Sequence, residues 1–128
     1  MAEITMNVSW HAVIVGAVVA FALGWLWYSP KLFGTKWAAG VGVLIDDGSG
    51  LPVTAMILQA IGTLLLAWVV GVTAASNALM TIILIVLVMV TLLAAGGFFA
   101  KKSVYAIGTE AGFILKMTVV MIVVQDIF

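Results

Sequence analysis

Four long hydrophobic runs divide the chain, at residues 8–28, 53–75, 78–100 and 104–124. Each run is long enough to cross the hydrocarbon core of a bilayer, which takes about 20 residues of helix. Their apolar residues do not alternate with polar ones as barrel strands would, and a lipid-facing segment must satisfy its own backbone hydrogen bonds. The pattern therefore predicts an all-α membrane protein, a single domain of four transmembrane helices over residues 1–128.

The polar connections between the runs differ in length. Residues 29–52 form a long connection, in which Pro30 stops the first helix and a Gly- and Ser-rich turn precedes Pro52. We expect residues 31–44 to lie along the membrane surface as an interfacial segment. The second and third runs are joined so closely, at Ser76 and Asn77, that they must form an antiparallel hairpin.

Composition excludes several classes of soluble protein. Hydrophobic residues make up 66% of the chain and charged residues 8%, far from the values of a water-soluble domain. The formal net charge is zero, which leaves no basic surface for nucleic acid. The chain has no cysteine, so it has no disulfide, thiolate nucleophile or thiolate metal site. The lipid bilayer is therefore the expected partner.

The loop lysines predict an orientation. Lys31, Lys36, Lys101 and Lys102 fall on one side of the four helices, and the positive-inside rule makes that side cytoplasmic. The first run follows Glu3 and no basic residue, so we expect a retained span rather than a secretory signal. The protein should be a multi-pass protein of the inner membrane, with both termini on the non-cytoplasmic side.

Small side chains recur every four residues along the first run and at the start of the fourth. Such stripes let helices approach closely, either inside one bundle or between copies. Packing inside the bundle is the simpler interpretation. Charged positions that one chain leaves uncovered also predict a homo-oligomer, a dimer or trimer with the first or fourth helix at the seam. The stripe residues are Ala12, Gly16, Ala20, Gly24, Gly108 and Gly112.

Polar side chains lie inside the predicted spans, where ionisable groups cost roughly 3 kcal/mol. Glu110 and Lys116 are six residues apart in the fourth run, about 240° around a helix, so they cannot pair with each other. Gln59 and Thr91 fall at about the same depth as Glu110, roughly 10 Å from the lysine-bearing side. We expect these three to form a polar layer, with Lys116 and His11 farther across the membrane.

Two interpretations of this layer stay open. In the structural one, Gln59 and Thr91 hydrogen-bond a neutral Glu110 and fix the register of the helices. In the other, the layer is part of a proton or ion path, because carboxylate and imidazole groups exchange protons. His11 has no second ligand at suitable spacing, so we expect no metal site and no cofactor.

Recognisable enzyme motifs are missing from the sequence. There is no phosphate-binding glycine loop after a strand and no nucleophile elbow, and the segment around Asp46 and Asp47 lacks the ligands of a calcium loop. We therefore expect a non-enzymatic structural or binding protein. The alternative is a small channel or ion-coupled transporter that uses Glu110. A lipid-modifying enzyme would need a nucleophile and a base together, which the sequence does not offer.

Aromatic and small residues surround the proline that ends the first run. Rings at this position anchor a helix end among lipid headgroups, and neighbouring lysines contact phosphates, so the motif predicts an elbow at the membrane surface. A protein-binding role for the same rings is the alternative. The motif comprises Trp27, Tyr28, Ser29, Pro30, Phe33, Gly34 and Trp37.

This motif resembles the signature of a bacterial membrane family catalogued as domain of unknown function 1761. Glu110, Ala111, Gly112 and Phe113 are similar to the asparagine, alanine, glycine and tyrosine that the family usually has in its fourth helix. Glu110 thus stands where the family usually has the amide side chain of asparagine. The resemblance implies a four-helix inner-membrane protein without an assigned reaction.

Overall fold

The fold is known from a computed structural model that describes residues 2–27, 34–41 and 53–127. Six helices and no strand occupy these residues. Four of the helices are long and apolar enough to cross a membrane. The expected all-α architecture with four membrane spans is therefore confirmed. The helices are α1 (Ala2–Thr5), α2 (Trp10–Trp27), α3 (Gly34–Val41), α4 (Val53–Ala75), α5 (Leu79–Phe99) and α6 (Val104–Ile127).

Residues with left-handed backbone separate several of these helices. Asn7 (φ 61°) lies between α1 and α2, and Asn77 (φ 54°) lies between α4 and α5, where an asparagine tolerates this conformation. Lys101 (φ 61°) lies between α5 and α6, and the Lys102 backbone N–H donates to the Gly97 carbonyl at 3.0 Å. This bond closes α5 in the manner of a Schellman motif, with lysine where glycine is usual.

The four long helices alternate in direction. Gly16 of α2 lies beside Met121 of α6, and Gly71 of α4 lies beside Val13 of α2, so α2 is antiparallel to both partners. α4 and α6 contact each other, and each also contacts α2 and α5. α4 and α6 therefore form the short diagonal of the bundle.

The bundle has two distinct ends. At one, which we call the lysine end, α2 stops, α3 lies against α6, and Lys36, Lys101 and Lys102 are found. At the other, the hairpin end, the turn at Ser76 and Asn77 lies near the start of α2 and the end of α6. α1 packs on α4 at this end, where the Trp68 indole N–H donates to the Ile4 carbonyl at 2.6 Å.

The centre of the bundle is filled by apolar side chains. Val13 of α2, Val70 of α4, Ile82 of α5 and Met121 of α6 are almost completely buried and belong to one cluster. The opposite faces of the same helices expose many large apolar side chains, as expected of surfaces solvated by lipid. One continuous apolar core therefore joins all four long helices.

Candidate functional site

The short helix α3 is held closely against the start of α6. The backbone N–H of Ser103 donates to the carbonyl of Gly40 at 3.0 Å, and the Ser103 hydroxyl accepts from the N–H of Ala106 as a helix cap. A Cβ atom at Gly40 would collide with the Ser103 hydroxyl and lie 2.9 Å from the Ala106 Cβ. Only glycine therefore allows the two backbones this approach.

The Glu110 carboxylate of α6 lies next to α3 and has two side-chain partners. The Trp37 indole N–H donates to its Oε2 at 2.9 Å. The Lys102 ammonium lies 3.1 Å from both carboxylate oxygens. The side chain of Glu110 is 13% exposed and that of Lys102 is 28% exposed. This cluster of Trp37, Lys102 and Glu110, which we call the Glu110 cluster, joins α3, the loop before α6 and α6 itself.

The polar layer expected from the sequence is not assembled around Glu110. α4 and α6 run side by side with Thr63 level with Met117, so Gln59 lies about one turn deeper than Glu110. Gln59 is exposed, and its amide is 3.5 Å from the Thr63 hydroxyl of its own helix. Thr91 is exposed on α5. The partners of Glu110 are Lys102 and Trp37 instead.

Lys116 contacts an aromatic ring rather than a carboxylate. Its ammonium lies 4.5 Å from the centre of the Trp27 ring, a cation–π contact. The Trp27 indole N–H donates to the Thr109 carbonyl at 3.0 Å, which fixes the ring against α6. In the described ranges 2–27, 34–41 and 53–127, the salt bridge between Lys102 and Glu110 is the single one. Lys116 has no acidic partner there.

The buried hydroxyl groups of the described residues bond mainly within their own helices, although that of Thr63 also lies 3.9 Å from the Met117 sulfur of α6. Four threonines are buried, and each donates to a carbonyl three or four residues earlier in its own helix, at 2.7–2.9 Å. No buried polar side-chain atom lacks a partner in the described part of the chain. Apart from these threonines, the residues described as buried between Glu110 and the hairpin end are apolar. The threonines are Thr63, Thr73, Thr109 and Thr118.

The small residues predicted to pack helices lie in different surroundings. Ala12, Gly16 and Ala20 are buried, and a Cβ at Gly16 would lie 3.5 Å from the Met121 side chain. A Cβ at Gly24 would lie 2.9 Å from the Phe113 ring. Gly16 and Gly24 of the first stripe therefore face α6.

The start of the second stripe borders a groove between α2 and α6. A Cβ at Gly112 would lie 3.2 Å from the Trp27 ring, whereas Gly108 has nothing within 4 Å. The groove has a volume of about 380 Å³ and we call it the α2/α6 groove; it is lined by Trp27, Tyr105, Gly108, Thr109 and Gly112.

Other predicted site residues lie apart from the Glu110 cluster. His11 is exposed at the hairpin end. No group of three or more histidine, aspartate or glutamate side chains is arranged to hold a metal within the described residues. Of the interfacial motif, Trp27 and Trp37 contact α6, and Gly34 begins α3. Four members lie outside the described residues, namely Tyr28, Ser29, Pro30 and Phe33.

A family model described as a protein of unknown function, DUF1761, matches residues 11–125. This chain belongs to the DUF1761 family. The match covers all four spans, from the first turn of α2 to near the end of α6. No curated protein and no solved structure matches the chain. The DUF1761 assignment confirms the resemblance carried by the interfacial motif and assigns no reaction.

Lys102 is the member of the Glu110 cluster that sequence reasoning missed. In the sequence it is a loop lysine that indicates sidedness, and its partner Glu110 lies eight residues ahead. Lys102 lies two residues before α6 and Glu110 lies in the second turn of α6, so a long lysine side chain can reach the carboxylate. A lysine just before a span and a carboxylate two turns inside it are the sequence features that could have indicated this pair.

Proposed function

We propose that this DUF1761 protein is a non-catalytic structural or binding protein of the cytoplasmic membrane that works as a homo-oligomer. The observation that carries this proposal is the pairing of Glu110 with Lys102 and Trp37. Oε2 of Glu110 accepts from Trp37 of α3, and both carboxylate oxygens bind Lys102, so the carboxylate helps hold α3 onto α6. Beyond them, buried threonines bond to their own helices and the core is apolar. These features support a packing role for Glu110 rather than an ion path.

Flux measurements in proteoliposomes test this role. We expect the wild-type protein to give no proton or cation flux above that of empty liposomes. The Glu110→Gln variant should behave in the same way and should still fold, because an amide oxygen can accept the Trp37 N–H. Lys101→Gln, which removes an exposed charge at the same end, is the control. Wild-type flux that disappears in Glu110→Gln, with assembly intact, would instead support a channel or transporter using Glu110.

The proposed orientation places the lysine end in the cytoplasm and both termini outside. Lys36, Lys101 and Lys102 lie at this end, and the positive-inside rule assigns it to the cytoplasm. The chain has no cysteine, so single cysteines report accessibility without background. In intact cells, an impermeant thiol reagent should label Ser76→Cys at the hairpin end and spare Lys101→Cys. The reverse pattern would invert the topology.

Self-association is supported by the first half of α4. None of residues 54–62 is buried, whereas Leu66, Ala67 and Val70 in the second half are. Gln59 is exposed within this half, and Gly62 has nothing within 4 Å of its Cβ position. An amide facing hydrocarbon gains most from a second amide, and the open space at Gly62 permits a close helix approach. We therefore place the seam between copies on α4 rather than on α2 or α6.

A further inference from the structure

We propose that the α2/α6 groove binds an anionic membrane lipid, with Lys36 and Lys116 as the cations that attract its negative charge. Each of these lysines lies on one aromatic wall of the groove. The Lys116 ammonium is 4.5 Å from the centre of the Trp27 ring, and the Lys36 ammonium is 5.4 Å from that of Tyr105. Trp27 and Tyr105 both line the groove. Two aromatic residues that line the groove therefore each carry a lysine ammonium on a ring.

The spacing along α6 aims Lys116 into the groove. Tyr105, Gly108, Gly112 and Lys116 follow one another at three- and four-residue intervals, so they share a face of the helix. Helical side chains lean toward the N-terminus of their helix, which for Lys116 is the lysine end. Its ammonium therefore lies over the Trp27 ring, nearer the lysine end than the Lys116 backbone, which is roughly 18 Å inside the start of α6.

The charge at this site is not neutralised by the described part of the chain. A cation–π contact leaves the net charge of Lys116 unchanged, and an uncompensated ammonium within a span is costly. Glu110 is a carboxylate of the same helix, and its oxygens bind Lys102 and Trp37. An anion that approaches from the bilayer would remove this cost. Lipid phosphate is the anion that the bilayer itself supplies, at the lysine end toward which the Lys116 side chain leans.

The shape of the groove fits a lipid rather than a free ion. Gly108 has nothing within 4 Å of its Cβ position, so the floor of the groove is open on one side. Exposed apolar side chains of α2 and α6, such as Leu26 and Leu115, offer surfaces along which acyl chains can lie. Two ammonium groups favour a headgroup with net negative charge, such as phosphatidylglycerol, over phosphatidylcholine, whose own cation opposes them.

Native mass spectrometry of the full chain, released from mixed bilayers of phosphatidylglycerol and phosphatidylcholine in equal amounts, tests the proposal. The wild-type protein should retain phosphatidylglycerol preferentially. Lys116→Gln and Lys36→Gln should each lower this preference by about five-fold, the effect of one lysine near a charged lipid. Lys101→Gln is the matched control, because it removes an exposed lysine of the same end away from the groove. Its preference should equal that of the wild type.

A second pair of variants tests the cavity without altering charge. Gly108→Leu should fill the groove and displace the lipid. Gly96→Leu adds the same side chain at an open position of α5 and should leave lipid retention unchanged. Circular dichroism and size-exclusion profiles identify the variants that are folded.

Three results would overturn the proposal. The first is equal retention of the two lipids by the wild type. The second is a loss in Lys101→Gln as large as that in Lys116→Gln, which would indicate general surface charge. The third is displacement of the bound lipid by millimolar inorganic phosphate alone, which would indicate a phosphate site rather than a lipid site. None of these outcomes depends on whether the protein conducts ions, so they are distinguishable from a failure of the proposed function.

Discussion

Lys102 reaches forward from the loop before α6 to bind both carboxylate oxygens of Glu110, at 3.1 Å each. The Lys102 backbone closes α5 through its bond to Gly97, while its side chain neutralises a charge inside α6. One residue therefore fixes the end of one span and the beginning of the next. This relationship explains how a carboxylate can be placed within a membrane helix without a partner on another span.

The first prediction concerns the loss of this cation. Lys102→Gln should lower the free energy of unfolding by about 1 to 2 kcal/mol, between the values for exposed and fully buried pairs. The intermediate value is expected because the two side chains are 28% and 13% exposed. Denaturation in mild detergent, with Lys101→Gln as control, measures the change. A double-mutant cycle with Glu110→Gln that gives no coupling energy would contradict the pairing.

The second prediction concerns the indole of Trp37. Trp37→Phe keeps an aromatic ring but removes the N–H that donates to Glu110, so α3 should be held less firmly on α6. The lost bond corresponds to about 1 kcal/mol, or about five-fold faster amide exchange in Gly34–Val41. Hydrogen exchange by mass spectrometry reads this helix directly. Trp25→Phe, at a ring that is 68% exposed on α2, should leave the exchange rate unchanged.

Hydrophobic length predicted the spans well because a membrane helix is specified mainly by continuous apolar sequence. The first membrane span, α2, begins at Trp10 rather than at residue 8. Asn7 adopts a left-handed conformation before it, and the Ser9 hydroxyl accepts the Ala12 N–H at 3.4 Å as a cap. α3 covers Gly34–Val41 of the segment expected at the membrane surface. Residues 31–33 and 42–44 of that segment lie outside the described residues.

The partners of polar groups were harder to predict from the sequence. The number of residues from the ends of the spans predicts Gln59 at the depth of Glu110, but the offset between α4 and α6 is set by side-chain packing, with Thr63 beside Met117. The length of a lysine side chain adds a further uncertainty, because Lys102 reaches a carboxylate that its own sequence position does not place beside it. Hydropathy carries no information on the offset between two helices or on the reach of a lysine side chain. The Glu110 cluster therefore could not be predicted from the sequence.

The third prediction compares two adjacent glycines of α5. A Cβ at Gly97 would lie 2.6 Å from Cγ1 of the buried Ile107 of α6, so Gly97→Ala must separate the helices. We expect it to lower the unfolding free energy by about 1 to 3 kcal/mol, as in other overpacked contacts. Gly96 has nothing within 4 Å, and Gly96→Ala should change stability little. Thermal unfolding in detergent compares them. Equal effects of the two substitutions would refute close packing at Gly97.

The last prediction addresses the seam between copies. Gln59 is exposed on the half of α4 that has no buried residue, and an amide in hydrocarbon is better satisfied by another amide than by lipid. Gln59→Leu should therefore weaken self-association by about 0.6 to 2 kcal/mol, the range measured for polar contacts between membrane helices. Energy transfer between labelled copies in liposomes, followed as protein is diluted into lipid, measures the change. Leu58→Ala alters the neighbouring exposed side chain without removing a hydrogen-bonding group, so a loss specific to Gln59→Leu identifies the amide. Energy transfer that is absent in the wild type, or unaffected by Gln59→Leu, would remove α4 as the seam.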